Sequence, residues 1–265
     1  MAFCFPSLFR FTRSLVLVLV PTLCTSLVSA ATLKAEYQFD NSFASSQSGA
    51  PALVAANPYG SNAFLGDTVF GQSRTVYASN GTVATQAGLR LDATGLVSAT
   101  DYSLDMVFSL TGGGPAYKRL FQAGSNDNGL YVDLDGKLNT YDAGPNSGLA
   151  FSMNTYHHLV LAVSGGNLTK VWLDGTLSHT TSTNVLNISA PGDILSFYID
   201  DMGEYANART ALIRMWDGAL TIGEVATLAA APLASQVAQD IPEPSPLALL
   251  AAGLGLAAWT ARRRQ

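Results

Sequence analysis

Cysteine is nearly absent from this chain: its two copies, Cys4 and Cys24, both stand within the first thirty residues. Once that stretch is removed, the remainder has no thiol, no disulfide and no thiolate metal site. Charge is scarce at 12% of residues, and positive charge is scarcer still. Between Ala31 and Ile241, nine Lys and Arg face eighteen Asp and Glu. An acidic body lacks the basic surface that a phosphate backbone needs, which excludes nucleic acid as a partner. Glutamate is rare too, with Glu36, Glu204 and Glu224 alone between those limits. There is no Gly-x-Ser-x-Gly run, no His-Glu-x-x-His and no phosphate loop, so serine-nucleophile, zincin and nucleotide chemistry have no foothold.

The chain does have 48% hydrophobic residues and 24 glycines, arranged as short apolar or β-branched runs between Gly-rich and Asp-Gly breaks. That pattern predicts antiparallel strands joined by tight turns. The clearest stretch runs from Tyr156 to Ser178, where Asp174-Gly175 supplies both positive-φ positions of a two-residue hairpin turn. Residues 130–134 and 137–141 flank Asp135-Gly136 and predict a second hairpin of the same design. Residues 33–39 alternate, predicting a first strand with Leu33, Ala35, Tyr37 and Phe39 facing inward. Residues 102–110 alternate likewise, and 119–124 are expected to pair with them. For 44–87, rich in Ser, Gly and Asn, short strands and long loops are expected. Residues 184–188, 195–199 and 210–216 supply the last strands. Thr221 and Glu224 can cap one another's N–H groups, which predicts a short helix through Leu228. His157 and His158 are neighbours on one strand, so they point to opposite faces and cannot share a metal.

Both ends look disposable. Arg10 and Arg13, the apolar run 15–20 and small residues before Ala30 and Ala31 make an export signal over residues 1–30, with cleavage after Ala30. At the other end Pro242, Glu243 and Pro244 precede the apolar run 247–261 and then Arg262, Arg263 and Arg264. As a helix that run is about 22 Å long against a hydrocarbon core of about 30 Å, a marginal span. The arginines hold the extreme terminus on the cytoplasmic side. This ordered combination resembles the PEP-CTERM sorting signal of Gram-negative bacteria. The resemblance implies recognition by an exosortase, a membrane transpeptidase that removes the tail near the motif. The expected layout is a signal peptide at 1–30, a β-sandwich at 31–228, a linker at 229–241 and the sorting signal at 242–265, with an apolar helix in the tail.

The body carries a second likeness. Tyr156-His157-His158-Leu159-Val160, the Val171-Trp172-Leu173-Asp174-Gly175 hairpin and the ending Leu212-Ile213-Arg214-Met215-Trp216-Asp217-Gly218 resemble the laminin G-like, concanavalin A-like lectin and glucanase superfamily. That implies an all-β jelly roll of two antiparallel sheets. The glutamate pattern of the superfamily's glucanases does not occur here. Asp133 and Asp135 could pair as two carboxylates, but Asp135 is accounted for by turn chemistry. Laminin G-like domains often hold calcium at a sheet rim, and Asp127, Asp200 and Asp201 are the matching oxygen ligands, with turn capping as the alternative. Tyr131, Tyr141, Trp172 and Trp216 can stack on sugars where exposed and otherwise fill the core.

These readings converge on an exported, non-enzymatic module associated with saccharide or exopolysaccharide. Signal peptidase and exosortase are its processing partners, and the inner membrane is a transient anchor on the way to the envelope surface or extracellular matrix. The rivals are a divergent glycan hydrolase on the same fold and a structural envelope protein without a ligand.

Overall fold

A computed structural model describes residues 30–56, 62–123, 129–140, 148–182, 194–200 and 203–235. In chain order the strands are β1 (Thr32–Tyr37), β2 (Val54–Ala55), β3 (Ala63–Val69), β4 (Gln72–Ser79), β5 (Leu89–Asp92), β6 (Tyr102–Gly113) and β7 (Lys118–Ala123). Then come β8 (Gly129–Val132), β9 (Leu138–Thr140), β10 (His157–Ser164), β11 (Leu168–Leu173), β12 (Thr176–Thr181), β13 (Ile194–Phe197) and β14 (Ala206–Asp217), followed by helix α1 (Ile222–Ala230). One sheet has eight strands in the order β12-β11-β10-β6-β14-β4-β3, with β1 also paired to β14. The other has six, ordered β2-β5-β13-β7-β8-β9. All named pairings are antiparallel, and the inward side chains of both sheets form one apolar cluster that includes Tyr37, Leu89, Phe108, Phe121, Leu161 and Met215. Alternating strands that each bury one face give this two-layer sandwich directly.

The Asp174-Gly175 turn forms as expected, with φ of 49° and 79°. The reciprocal Thr221–Glu224 cap forms too: Thr221 N–H donates to Glu224 at 2.7 Å, and Glu224 N–H donates to Thr221 Oγ1 at 3.3 Å. Residues 184–188 and Tyr141 lie outside the described residues.

Three expectations are corrected. First, β6 and β7 belong to different sheets, so residues 119–124 do not pair with 102–110. The Gly112-to-Pro115 link crosses between layers instead of turning back on one. Second, Asp135-Gly136 is not a two-residue turn. Gly136 N–H donates to Asp133 O at 3.0 Å and Gly136 alone is left-handed, at φ 71°, making a three-residue loop with a glycine bulge. Third, the register of β1 against β14 slips between Leu33 and Ala35, so Leu33 opposes Trp216 on the outer face while Ala35 and Tyr37 face inward.

Among the described residues no helix is long and apolar enough to cross a membrane. The apolar run 247–261 lies outside them.

Candidate functional site

On the six-stranded sheet, core residues Leu120, Phe121, Leu130, Val132, Leu138 and Leu195 point inward, so their neighbours Arg119, Gln122, Tyr131, Asn139 and Ser196 lie on the outer face. The register places Arg119 opposite Tyr131 and Tyr131 opposite Asn139, and Gln122 lies between Ser196 and Gly129. The Arg119 guanidinium carbon sits 4.4 Å from the Tyr131 ring centroid, and the half-buried Tyr117 meets Tyr131 edge-on at 6.1 Å. Arg119 is fully buried and ion-paired with Asp200. Asp200 in turn accepts from Glu204 N–H at 3.0 Å, and its own N–H donates to Gln86 at 2.6 Å. Asn139 Oδ1 is buried with no hydrogen-bond partner. This face therefore combines two aromatic rings, a rigidly held guanidinium and side-chain amides.

The outer face of the eight-stranded sheet is different, and it is covered. Val225 and Leu228 of α1 press on Val160, Ala162, Trp172 and Trp216. Further along, Leu233 is buried among Val69, Val76, Val107, Ala211 and Leu212. Between these two apolar zones runs a row of ionisable side chains contributed by four strands. Glu36 on β1 is aligned with Arg214 on β14, and Arg214 with Asp105 on β6. Arg214 donates to Asp105 Oδ2 at 2.9 Å, and Asp105 Oδ1 lies 2.8 Å from His158 Nε2 on β10. Glu36 Oε1 stands 3.5 Å from Arg214. All four side chains are at most 2% exposed.

Burial pushes the Asp105 carboxyl up, but His158 and then Arg214 outweigh it and hold the group below the usual carboxylate range. Arg214 also donates to Pro232 O at 3.2 Å and to Ala234 O, so the row reaches up to the chain that follows α1. Arg74 donates to Leu233 O at 3.2 Å, and Gln38 to Ser235 Oγ at 3.4 Å. The packed body thus extends through Ser235, into the stretch expected to be a free linker.

The two histidines part as expected. His157 faces inward, its ring 4.4 Å from Phe151, and binds Asp174 through Nδ1 at 2.7 Å, whereas His158 joins the charge row.

The Asp133–Asp135 pairing does not occur, because Asp133 Oδ1 accepts from the N–H groups of Asp135 and Lys137, both at 2.9 Å, and caps its own loop. Of the calcium candidates, Asp127 and Asp201 lie outside the described residues, while Asp200 spends one oxygen on Arg119 and the other on Glu204 N–H. A carboxylate held against a buried guanidinium does not fit a cation site. Pro242, Glu243, Pro244 and Arg262 to Arg264 fall outside the described residues; Ala30 is exposed, and Ala31 packs beside Leu33 and Trp216. Trp172, Trp216 and Tyr131 are buried. The charge row was not anticipated, because its members occupy alternating positions that read as a solvent-facing stripe.

Residues 240–264 match the PEP-CTERM protein-sorting motif, which indicates export and sorting to the envelope surface. No curated protein matches the chain. Among solved structures it is similar to domain 4 of AbnA, a GH43 extracellular arabinanase from Geobacillus stearothermophilus, in complex with arabinotriose. The TM-score is 0.60 at 20% identity, over 76% of this chain and 100% of that domain. It is also similar to the binding domain of Paraclostridial Mosquitocidal Protein 1, with a TM-score of 0.52 at 12% identity over 75% of this chain and 52% of that one. A structure of botulinum neurotoxin type C from a study of its interaction with two ganglioside molecules gives 0.52 at 9% identity, over 78% and 52%. At these identities the likeness establishes the jelly-roll sandwich and nothing finer.

Proposed function

We propose that this protein is a non-catalytic saccharide-binding module of the concanavalin A-like type, cut from its tail by an exosortase and left at the cell surface or in the extracellular matrix. The observation that carries the reading is the outer face of the six-stranded sheet. There the half-buried Tyr117 offers a ring for stacking, braced edge-on by the buried Tyr131, which Arg119 and Asn139 hold in place. A partly exposed ring on a rigidly braced sheet face suits a sugar, which has apolar faces to stack. The arabinanase domain, seen with arabinotriose, makes arabino-oligosaccharides the first ligands to try.

The state of the carboxylates supports binding over hydrolysis. A glycosidase needs one carboxyl whose proton is retained, facing a second across the scissile bond. Here Asp105 and Asp174 are held below the ordinary value although burial opposes it, Asp105 by His158 and Arg214 and Asp174 by His157 and His158. Asp92 is lowered by Thr94, and Asp101 by Gly165 N–H and Thr100. Glu36 and Asp200 are paired with arginine, and Glu224 caps a helix.

A polysaccharide array probed with the tail-less protein tests the reading, with reducing-sugar release as the catalytic control. Binding without release, weakened about tenfold by Tyr117→Ala, is expected from the loss of one ring contact worth about 1 kcal/mol or slightly more. Release of sugar would make the protein a hydrolase. Absence of binding to every glycan would leave a structural envelope protein.

A further inference from the structure

The chain is held to the sheet up to Ser235 and meets the sorting motif at Pro242, so the motif is tethered within about 25 Å of a fixed exit point. That exit point lies on a rim with an unusual occupant. The β3–β4 hairpin turns on Phe70-Gly71, with φ of 48° and 78°, and Phe70 is 45% exposed. Left-handed backbone is costly for a bulky side chain, and Asn or Asp is the ordinary residue there. Phe70 follows Val69, which shares an apolar cluster with Leu233, and Arg74 just beyond the turn holds Leu233 O. An aromatic ring is therefore displayed, at a conformational cost, on the hairpin whose Val69 and Arg74 hold Leu233, two residues before the last docked residue.

The geometry points to this rim, formed by Phe70, Arg74 and residues 233–235, as a second contact for the membrane enzyme that reads the tail. This inference rests on the sorting reading and adds a surface to it. Rim and motif are two halves of one bivalent ligand, and the docked segment sets the distance between them. The dock needs Glu36, Asp105, His158 and Arg214 from the first, middle and last strands, so the rim exists only on a completed sandwich. The occupant is the enzyme because the motif it reads is covalently held within reach of this rim, and the acidic body disfavours an anionic lipid surface in its place.

The effect of spacing follows from effective concentration, which falls as about the −3/2 power of tether length. A twelve-residue Gly/Ser spacer inserted after Ser235 keeps every dock contact and lengthens the connection to Pro242 from 7 to about 19 residues, so tail removal should slow about fourfold. Leu233→Asp undocks the segment back to α1, so it loses residues 233–235 of the rim and also lengthens the connection to about 12 residues, and it should slow removal by at least the spacer's factor. Phe70→Asn keeps tether and fold and removes the ring, and it should slow removal by at least the spacer's factor.

The test is pulse-chase of the full chain in a Gram-negative host with its sorting machinery, with intact mass separating cut from uncut protein and circular dichroism reporting the sandwich. If Leu233→Asp fails to fold, the spacer and Phe70→Asn decide the matter. Wild-type rates in both overturn the rim contact while leaving the sorting reading intact. A wild-type protein that keeps Gln265 in the envelope defeats the sorting reading itself, and the rim contact with it. Binding of the tail-less body to phosphatidylethanolamine and phosphatidylglycerol vesicles, lost in Phe70→Asn, would assign the rim to lipid and overturn the enzyme contact.

Discussion

Replacing Asp105 with asparagine keeps the side chain's shape and removes one charge from the middle of the buried row. In the wild type its two oxygens hold Arg214 Nη1 at 2.9 Å and His158 Nε2 at 2.8 Å. An asparagine can keep its oxygen on Arg214 and donate its NH₂ to His158 Nε2 only when the imidazole carries its proton on Nδ1, which is buried without a hydrogen-bond partner among the described residues, and the negative charge beside Arg214 is gone in either tautomer. The guanidinium is then left with Glu36 at 3.5 Å and the carbonyls of Pro232 and Ala234. Removing one partner from a buried ion pair costs about 3–5 kcal/mol. At about 2–4 °C per kcal/mol for a body of this size, the melting temperature should fall by roughly 6–20 °C.

Urea unfolding followed through Trp172 and Trp216, which lie beneath α1, measures the loss directly. The pH dependence gives a second check. The folded Asp105 carboxyl is depressed, so the stability it contributes is present above the unfolded value of about 3.9 and is lost as pH falls toward the folded value. The gap between wild type and Asp105→Asn should therefore be widest near neutrality and close below about pH 3.9. A gap under about 1 kcal/mol at pH 7, or one that does not close in acid, would refute the reasoning.

Three further outcomes are expected. Phe70→Asn relieves a left-handed phenylalanine and should raise stability by about 0.5–1 kcal/mol in the same urea assay. Asp174→Gly keeps the positive-φ turn but loses the bonds to His157 Nδ1 at 2.7 Å and His158 N–H at 2.8 Å, whereas Asp174→Ala loses turn and bonds alike. The alanine variant should be the less stable by about 1 kcal/mol, and equal melting points would contradict the role of the turn. Gly148→Ala would put a Cβ 1.7 Å from Leu138 O, so the strand must move, and a cost of about 3 kcal/mol or more is expected by thermal denaturation.

Legibility in the sequence followed how local each cause was. The Asp174-Gly175 turn and the Thr221–Glu224 cap were readable because neighbouring residues alone dictate them. The β3–β4 hairpin was hidden because Phe70 stands where Asn, Asp or Gly usually marks the first position of such a turn, leaving Gly71 as a single signal. The division of β6 and β7 between sheets was not readable either, since a glycine-rich link serves a turn or a crossover equally well. The slip at Lys34 in β1 defeated the inward assignment of Leu33, because alternation is counted in residues and a bulge adds one. On the six-stranded sheet, Tyr131 was noticed as an aromatic. Its neighbours Arg119 and Asn139 join it only through pairing of three strands. Glu36, Asp105 and Arg214 looked solvated for the same kind of reason: the cover over them comes from residues 232–234, far away in sequence for two of the three.

The partnership of β1 with β14 has a consequence for when this chain can fold. The first strand to emerge from an export channel pairs with the last, Tyr37 beside Ile213 and Leu33 beside Trp216. The large sheet therefore cannot close around a half-delivered chain, and so many distant pairings make for slow assembly. A polypeptide wired in this way can complete its large sheet only once both ends of the body are available, so its final shape is the last thing it acquires.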